Sequence, residues 1–231
     1  LTADAVMQLA YLLDDQPARR AEAGPLYQRG LEIRRRVFGD AHPMTAYALA
    51  DVAHYEADNG QTAQAVAAAR QYLVLLRRAY GAEHPVIATA LDQVAAIMQK
   101  AGRLVEAESL YRQALELERR IRKADHSDIA GHEANLARLL MDRRRYGEAE
   151  TLLLDAIRIQ TRVSGPEHVN TAYTRGLLGL LFTRTGHYAA ADSLLREAIR
   201  SLEREVDPKH PMVREVRGWL ASLDSARVRG P

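Results

Sequence analysis

Histidine stands at residues 42, 84, 126, 168 and 210, returning every 42 positions without a slip, and proline follows it at Pro43, Pro85 and Pro211. A strict period between about 20 and 50 residues marks a chain built from one supersecondary unit stacked on copies of itself. Such a unit cannot bury its apolar face alone, so neighbouring units must complete its core and the array grows lengthwise. The 231 residues predict a single domain, 1–231, with units near 1–41, 42–83, 84–125, 126–167 and 168–209 and a remnant over 210–231.

Inside a unit the apolar residues recur at helical spacing. Leu91, Val94, Ala95 and Met98 form one stripe, and Ala107, Leu110, Tyr111, Ala114 and Leu115 form a second, so each unit reads as two amphipathic helices. Gly102 lies between them, and Gly60 and Gly186 hold the same place, where a positive φ ends one helix before the next begins. Arg144 replaces that glycine once and predicts a strained or differently shaped turn. The His-Pro pairs open the next unit, because proline suits a first helical position where its missing N–H has no partner to lose. Helices are expected near 3–15, 20–37, 44–58, 62–79, 86–100, 104–121, 128–142, 146–163, 170–184, 188–205 and 212–226, eleven in all, with no strand. The last has no second member, and its Trp219 and Leu220 predict a cap over the apolar end of the array.

Composition narrows the function more by exclusion. Cysteine is absent, which removes disulfides, thiolate metal sites and a cysteine nucleophile. No apolar run reaches the roughly 18 to 20 residues that span a bilayer, so a soluble chain without a membrane segment is expected; its compartment is expected to be cytoplasmic, with an extracytoplasmic place the alternative if it is part of a membrane-anchored protein. It opens at Leu1 with neither an initiator methionine nor a signal pattern, as a piece of a longer protein would. Charged residues make up 27% of the chain but the net charge is only +2, a mixed surface unlike the concentrated field of a nucleic-acid binder. The basic runs Arg34-Arg35-Arg36, Arg143-Arg144-Arg145 and Arg119, Arg120, Arg122, Lys123 lie near helix C-termini, where cations complement the dipole.

Catalytic and metal readings fail on spacing. The periodic histidines occupy one structural position, and neighbouring copies in a stack stand about 10 Å apart, beyond shared coordination at about 2 Å; a turn-stabilising role is expected for them. His132-Glu133 begins H-E-x-x-H, but Leu136 stands where the second ligand is required. Glu106/Glu108 and Glu148/Glu150 are two apart, do not face each other on a helix, and suit the first turn of one. Phosphate-loop, dinucleotide, nucleophile-elbow and kinase motifs are missing. No enzyme, cofactor or metal is expected.

The His-Pro turns, Leu91-Asp92-Gln93-Val94-Ala95 and Glu133-Ala134-Asn135-Leu136-Ala137 in first helices, and Glu106-Ala107-Glu108-Ser109-Leu110-Tyr111 and Gly147 to Leu153 in second helices together resemble the tetratricopeptide repeat family. The likeness is to its 42-residue variety, typified by kinesin light chains and common in bacterial multidomain proteins, and covers essentially the whole chain. The family's small residue at the close helix contact matches Ala65, Ala107, Ala149 and Ala191, and its bulky partner matches Tyr111, Leu153 and Leu195. Repeat two instead has Ala69 there and Tyr72 where others carry Ala114, Ala156 and Ala198, a swap that preserves volume. HEAT-type repeats have a similar period but do not account for the small residue and the His-Pro turn together.

The resemblance implies a right-handed α-solenoid of about five antiparallel helix pairs with first helices on the concave face, and a scaffold that binds an extended peptide or protein segment there. The partner-facing residues it selects are Tyr47, His54, Gln93, Lys100, Asn135, Arg138, Tyr173 and Arg184. Of the asparagine ladder common in the family only Asn135 matches; Asp51, Gln93, Leu177 and Trp219 take the other rungs. Leu177, Leu180 and Trp219 either receive an apolar anchor or pack beneath the terminal helix. The competing expectation is a regulatory or assembly arm acting on another domain of a larger signalling protein, such as a kinase, nucleotide-binding ATPase or caspase-like protease. A further one is self-association through the terminal helix or the first repeat.

Overall fold

The structure, a computed structural model, describes residues 2–122 and 125–229. Lys123 of the basic run lies outside the described residues. Among those described there are eleven α-helices and no strand: α1 Ala3–Asp14, α2 Ala23–Phe38, α3 Pro43–Asp58, α4 Thr62–Tyr80, α5 Pro85–Lys100, α6 Leu104–Ile121, α7 Ser127–Asp142, α8 Tyr146–Ser164, α9 Val169–Arg184, α10 Tyr188–Glu205 and α11 Pro211–Arg229. The boundaries follow the periodicity closely except at α2, which begins with a short 3-10 turn at Arg20–Glu22 where a continuous helix from residue 20 was expected. The helices gather into two compact units, Leu1–Leu117 and Glu118–Pro231.

In the first unit α1 packs on α2, α2 on α3, α3 on α4 and α4 on α5, while α3 also touches α5. The second repeats the scheme: α7 on α8, α8 on α9, α9 on α10, α10 on α11, with α7 touching α9 and α9 touching α11. First helices thus stand side by side within each unit, which brings residues one period apart into contact. Ala65, Ala107, Ala149 and Ala191 are fully buried, as are Tyr111, Leu153 and Leu195, and the swapped pair of repeat two, Ala69 and Tyr72, is buried as well. In the second unit, Val213, Val216 and Leu223 of α11 join Leu195, Ala198 and Leu202 of α10 in one core, with Trp219 and Leu220 against its edge.

Each periodic histidine caps a helix. Nδ1 of His42, His84, His126, His168 and His210 accepts the backbone N–H two residues on, at 3.1, 3.2, 3.2, 3.2 and 3.3 Å. The imidazole takes the role that serine or aspartate usually fills, satisfying one of the helix's orphan donors. Phe38 stacks on His42 at 4.8 Å and Tyr80 lies 5.0 Å from His84. His84→Ala is expected to cost about 1 kcal/mol in urea denaturation, and His84→Asn, which keeps an acceptor, to recover most of it.

The intra-repeat turns close alike. Gln61, Arg103, Arg145 and His187 donate backwards to the carbonyls of Glu56, Met98, Leu140 and Phe182 at 2.8, 2.8, 2.9 and 2.8 Å, the six-to-one bond of a helix ended by a left-handed residue. Gly60, Gly102 and Gly186 take φ of 74°, 75° and 83°, and Arg144 takes 58°. The arginine turn therefore keeps the common shape, and what it bears is the Cβ–carbonyl crowding of the left-handed region, about 1 kcal/mol.

Candidate functional site

The eight partner-facing residues fall four to a unit. In the first, several are engaged inside the fold. Lys100 Nζ meets Asp58 Oδ1 at 2.5 Å, and Gln93 Oε1 accepts the Tyr72 hydroxyl at 2.5 Å. His54 is half-buried; burial and then the Lys100 charge hold its imidazole below the usual range, against the pull of Asp58. Tyr47 is half-buried beside Tyr72 with ring centroids 6.3 Å apart, and burial followed by the Tyr80 hydroxyl raises its phenol.

In the second unit Arg184 Nη1 donates to Asp142 Oδ1 at 3.1 Å and the Tyr173 hydroxyl donates to Glu215 Oε2 at 2.7 Å. Asp58 with Lys100, Asp142 with Arg184 and Tyr173 with Glu215 each stand one full period apart. They are rungs between stacked first helices. The signal was present in the sequence, because one register reads Asp58, Lys100, Asp142, Arg184 with alternating sign. Arg184 and Lys100 thus hold neighbouring repeats together.

Asn135, Arg138 and Tyr173 converge. They line a cavity of about 220 Å³ with Gly131 and Ala134 of α7, Thr174 and Leu177 of α9, Gln160 of α8 and Met212 of α11. Its space originates at Gly131, which occupies the register of Tyr47, Thr89 and Tyr173; a Cβ built there meets nothing within 4 Å. Gln160 is only 6% exposed and its Oε1 has no hydrogen-bond partner, so an acceptor is left unmade in the wall at a cost that a donor from outside would remove. Arg138 bears on the Tyr173 hydroxyl, whose pKa is raised first by burial and then by Glu215, and which Arg138 draws back down. Leu177 is 2% exposed and Trp219 packs on Tyr173 at 5.5 Å. The apolar end of the face is therefore largely covered by α11.

Sequence reasoning missed Gln160, which lies on a second helix in the register of Arg34, Leu76, Glu118 and Leu202. That register is polar in three of its five copies, so the sequence does not single the amide out, and its unmet oxygen is a product of packing.

Other charged groups are committed locally. Glu118, His126 and Asp128 bring one possible ligand atom each within 4.8 Å of one another. Arg122 already supplies positive charge there, 2.9 Å from Glu118 and 3.6 Å from Asp128, and His126 Nδ1 is occupied by its cap. The arginine runs are likewise paired: Arg34 with Asp4, Arg35 with Asp40, Arg119 with Glu133 and Arg145 with Glu148. Among the described residues no helix is long and apolar enough to cross a membrane.

The fold is shared with solved structures. A Podosopora anserina chain described as a kinesin light chain with nearly identical TPR-like repeats superposes with a TM-score of 0.69 at 21% identity, over 87% of this chain and 94% of that one. BtubC (BKLC) from P. vanneervenii gives 0.68 at 15% identity over 98% and 85%. A Rap protein in complex with Competence and Sporulation Factor gives 0.66 at 18% identity over 88% and 60%. At these identities the likeness is one of fold. No curated protein matches the chain by sequence. Tetratricopeptide repeat models match residues 2–43, 56–120 and 128–204, and since these matches span most of the chain and agree with its period, helix pairing and small-residue contacts, the protein belongs to the tetratricopeptide repeat family, of the kinesin-light-chain type.

Proposed function

We propose that this protein is an interaction scaffold whose first-helix face holds an extended protein segment, docked at the cavity around Gly131, Asn135, Arg138, Tyr173 and Gln160. The repeat fold supports protein binding as the general role. The observation that carries the finer reading is the pairing of an unmet acceptor, Gln160 Oε1, with a guanidinium, Arg138, along one small cavity. A peptide backbone supplies the complement of both, an N–H for the amide oxygen and a carbonyl or carboxylate for the guanidinium. Inter-repeat rungs such as Tyr173–Glu215 hold the wall in place before a ligand arrives, which limits the ordering lost on binding. The Rap protein that shares the fold is bound to Competence and Sporulation Factor, and this supports a ligand of the same general kind.

The test begins with peptides selected from a random extended-peptide library on the immobilised protein. Arg138→Ala is expected to weaken the selected peptides about 10- to 100-fold, the equivalent of one charge-assisted hydrogen bond, with helicity unchanged. Gly131→Leu should block them by filling the cavity. Gly131→Ala is expected to raise stability by about 0.5–1 kcal/mol, because an open mid-helix site gains from alanine. Selected peptides that bind the Gly131→Leu and Arg138→Ala variants as tightly as the parent protein would remove the cavity from the reading.

A further inference from the structure

A second cavity, of about 370 Å³, lies in the first unit and shares no residue with the one above. It is bounded by Gly24, Tyr27 and Gln28 of α2, Tyr55 and Glu56 near the end of α3, and Gln61 before α4. The repeat supplies its own control for Glu56: the same register holds Met98, Leu140 and Phe182, and both Met98 and Leu140 are fully buried. Asp14 and Asp224 take the same register at the two ends of the chain, where it is not buried; among its buried copies, Glu56, Met98 and Leu140, Glu56 alone is a carboxylate.

Glu56 is 8% exposed. Its Oε1 receives a long contact from Gln28 Nε2 at 3.4 Å, and its Oε2 has no hydrogen-bond partner. Burial raises its carboxyl, and no charged neighbour opposes the shift. The nearby Arg20 is spent on Asp14 at 2.8 Å and Asp58 at 3.7 Å. An acidic group held in a low-dielectric wall without a counter-charge is costly in the empty protein, and the cost is relieved when a cation arrives.

The remaining walls suit a cation. The Tyr55 ring presses on the α2 backbone so closely that a Cβ at Gly24 would stand 2.8 Å from its Cε1, and its hydroxyl donates to the Arg20 carbonyl at 3.3 Å. The Tyr27 ring lies 5.4 Å from it. Aromatic faces attract positive nitrogen groups, more so when these are desolvated. We propose that this cavity binds a positively charged nitrogen group on a short stem, an alkylammonium or alkylguanidinium, whose N–H groups donate to Glu56 between Tyr27 and Tyr55. A volume near the lower end for ligand sites fits a single side chain or a small amine. The long Gln28 contact is the bond such a cation displaces. The proposal is independent of the peptide-docking reading.

Backbone-amide NMR titration of the full chain tests it, with methylguanidinium, the neutral analogue methylurea and acetyl-Gly-Arg-Gly-amide as probes. Methylguanidinium is expected to shift the amides around Tyr55, Glu56 and Gln61 saturably, and methylurea is not. Glu56→Gln should weaken methylguanidinium at least 10-fold. Glu56→Met, which installs the residue of the next repeat, should fold with a higher Tm and show no saturable shift. Binding of the tripeptide at least as tight as that of methylguanidinium assigns the site to a side chain of a protein segment; binding of methylguanidinium alone assigns it to a free small cation. Equal shifts with methylurea, or undiminished binding to Glu56→Gln, would overturn the proposal.

Discussion

Tyr72→Ala is expected to cost about 3–5 kcal/mol, the range for emptying a buried aromatic site, and to lower Tm by on the order of 10 °C. Tyr72 is 2% exposed and its hydroxyl donates to Gln93 Oε1 at 2.5 Å. Three residues before it stands Ala69, where the other repeats carry Tyr111, Leu153 and Leu195. Bulk has moved by one helical turn, and the helix contact is filled from a different Cα. Adding Ala69→Leu to Tyr72→Ala restores the arrangement of the neighbouring repeats and should return a third or more of the loss, whereas Ala69→Leu alone should be destabilising by roughly 1–3 kcal/mol through overpacking. The measurement is a double-mutant cycle in urea. Additive effects would mean that the two positions do not share one volume.

The second large effect is electrostatic. Glu133 occupies the register of Leu49 and Leu91 and is 1% exposed; Arg119 Nη2 reaches its Oε1 at 2.7 Å. Burial raises the Glu133 carboxyl, Arg119 and more weakly Arg158 oppose this, and Asp155 adds to it. Removing the guanidinium by Arg119→Ala leaves a carboxylate in the core without its direct partner, which typically costs about 3–5 kcal/mol for a fully buried pair. Arg119 is 52% exposed, so about 2–4 kcal/mol is expected here once solvent screening is allowed for. A folded-state value raised above the unfolded one means that the folded protein binds more protons in the window between them. Stability then falls as pH rises from the ordinary carboxylate value, about 4.3, through the raised one. The penalty of Arg119→Ala should accordingly be small at acidic pH and grow toward neutrality, and Glu133→Leu in the same background should abolish it. A penalty equal at both ends of that range would assign the loss to the packing of the arginine stem.

Much of the fold was legible because its causes are local. A stripe such as Leu91, Val94, Ala95 and Met98 needs only the geometry of its own helix, and a histidine at a helix start reaches an amide two residues away. The exceptions are instructive. Arg144 predicts a strained or differently shaped turn, and of the two the strain is found, with φ at 58°; the six-to-one bond between Arg145 and Leu140 keeps the common shape, since that bond and the packed helices on either side outweigh about 1 kcal/mol of backbone strain. At Arg20 the helix expected there is a 3-10 turn instead, tied to Asp14 by the arginine side chain.

The candidate site was legible in outline only. Asn135, Arg138 and Tyr173 read as outward-facing residues of first helices, and the three line one cavity. Lys100 and Arg184 read the same way and are joined to Asp58 and Asp142. Facing direction can be read from a helical wheel; which neighbour waits one period away depends on stacking.

The amino-acid order alone determined the period, the paired helices, their caps and the family, since each follows from interactions within a few residues or from one spacing repeated. Packing alone decided which side chains remain for a partner. Whether Gly131 opens a hollow, whether Gln160 keeps an idle oxygen and whether Glu56 meets a counter-charge depend on volumes and distances between residues far apart in the chain, and no local rule supplies those.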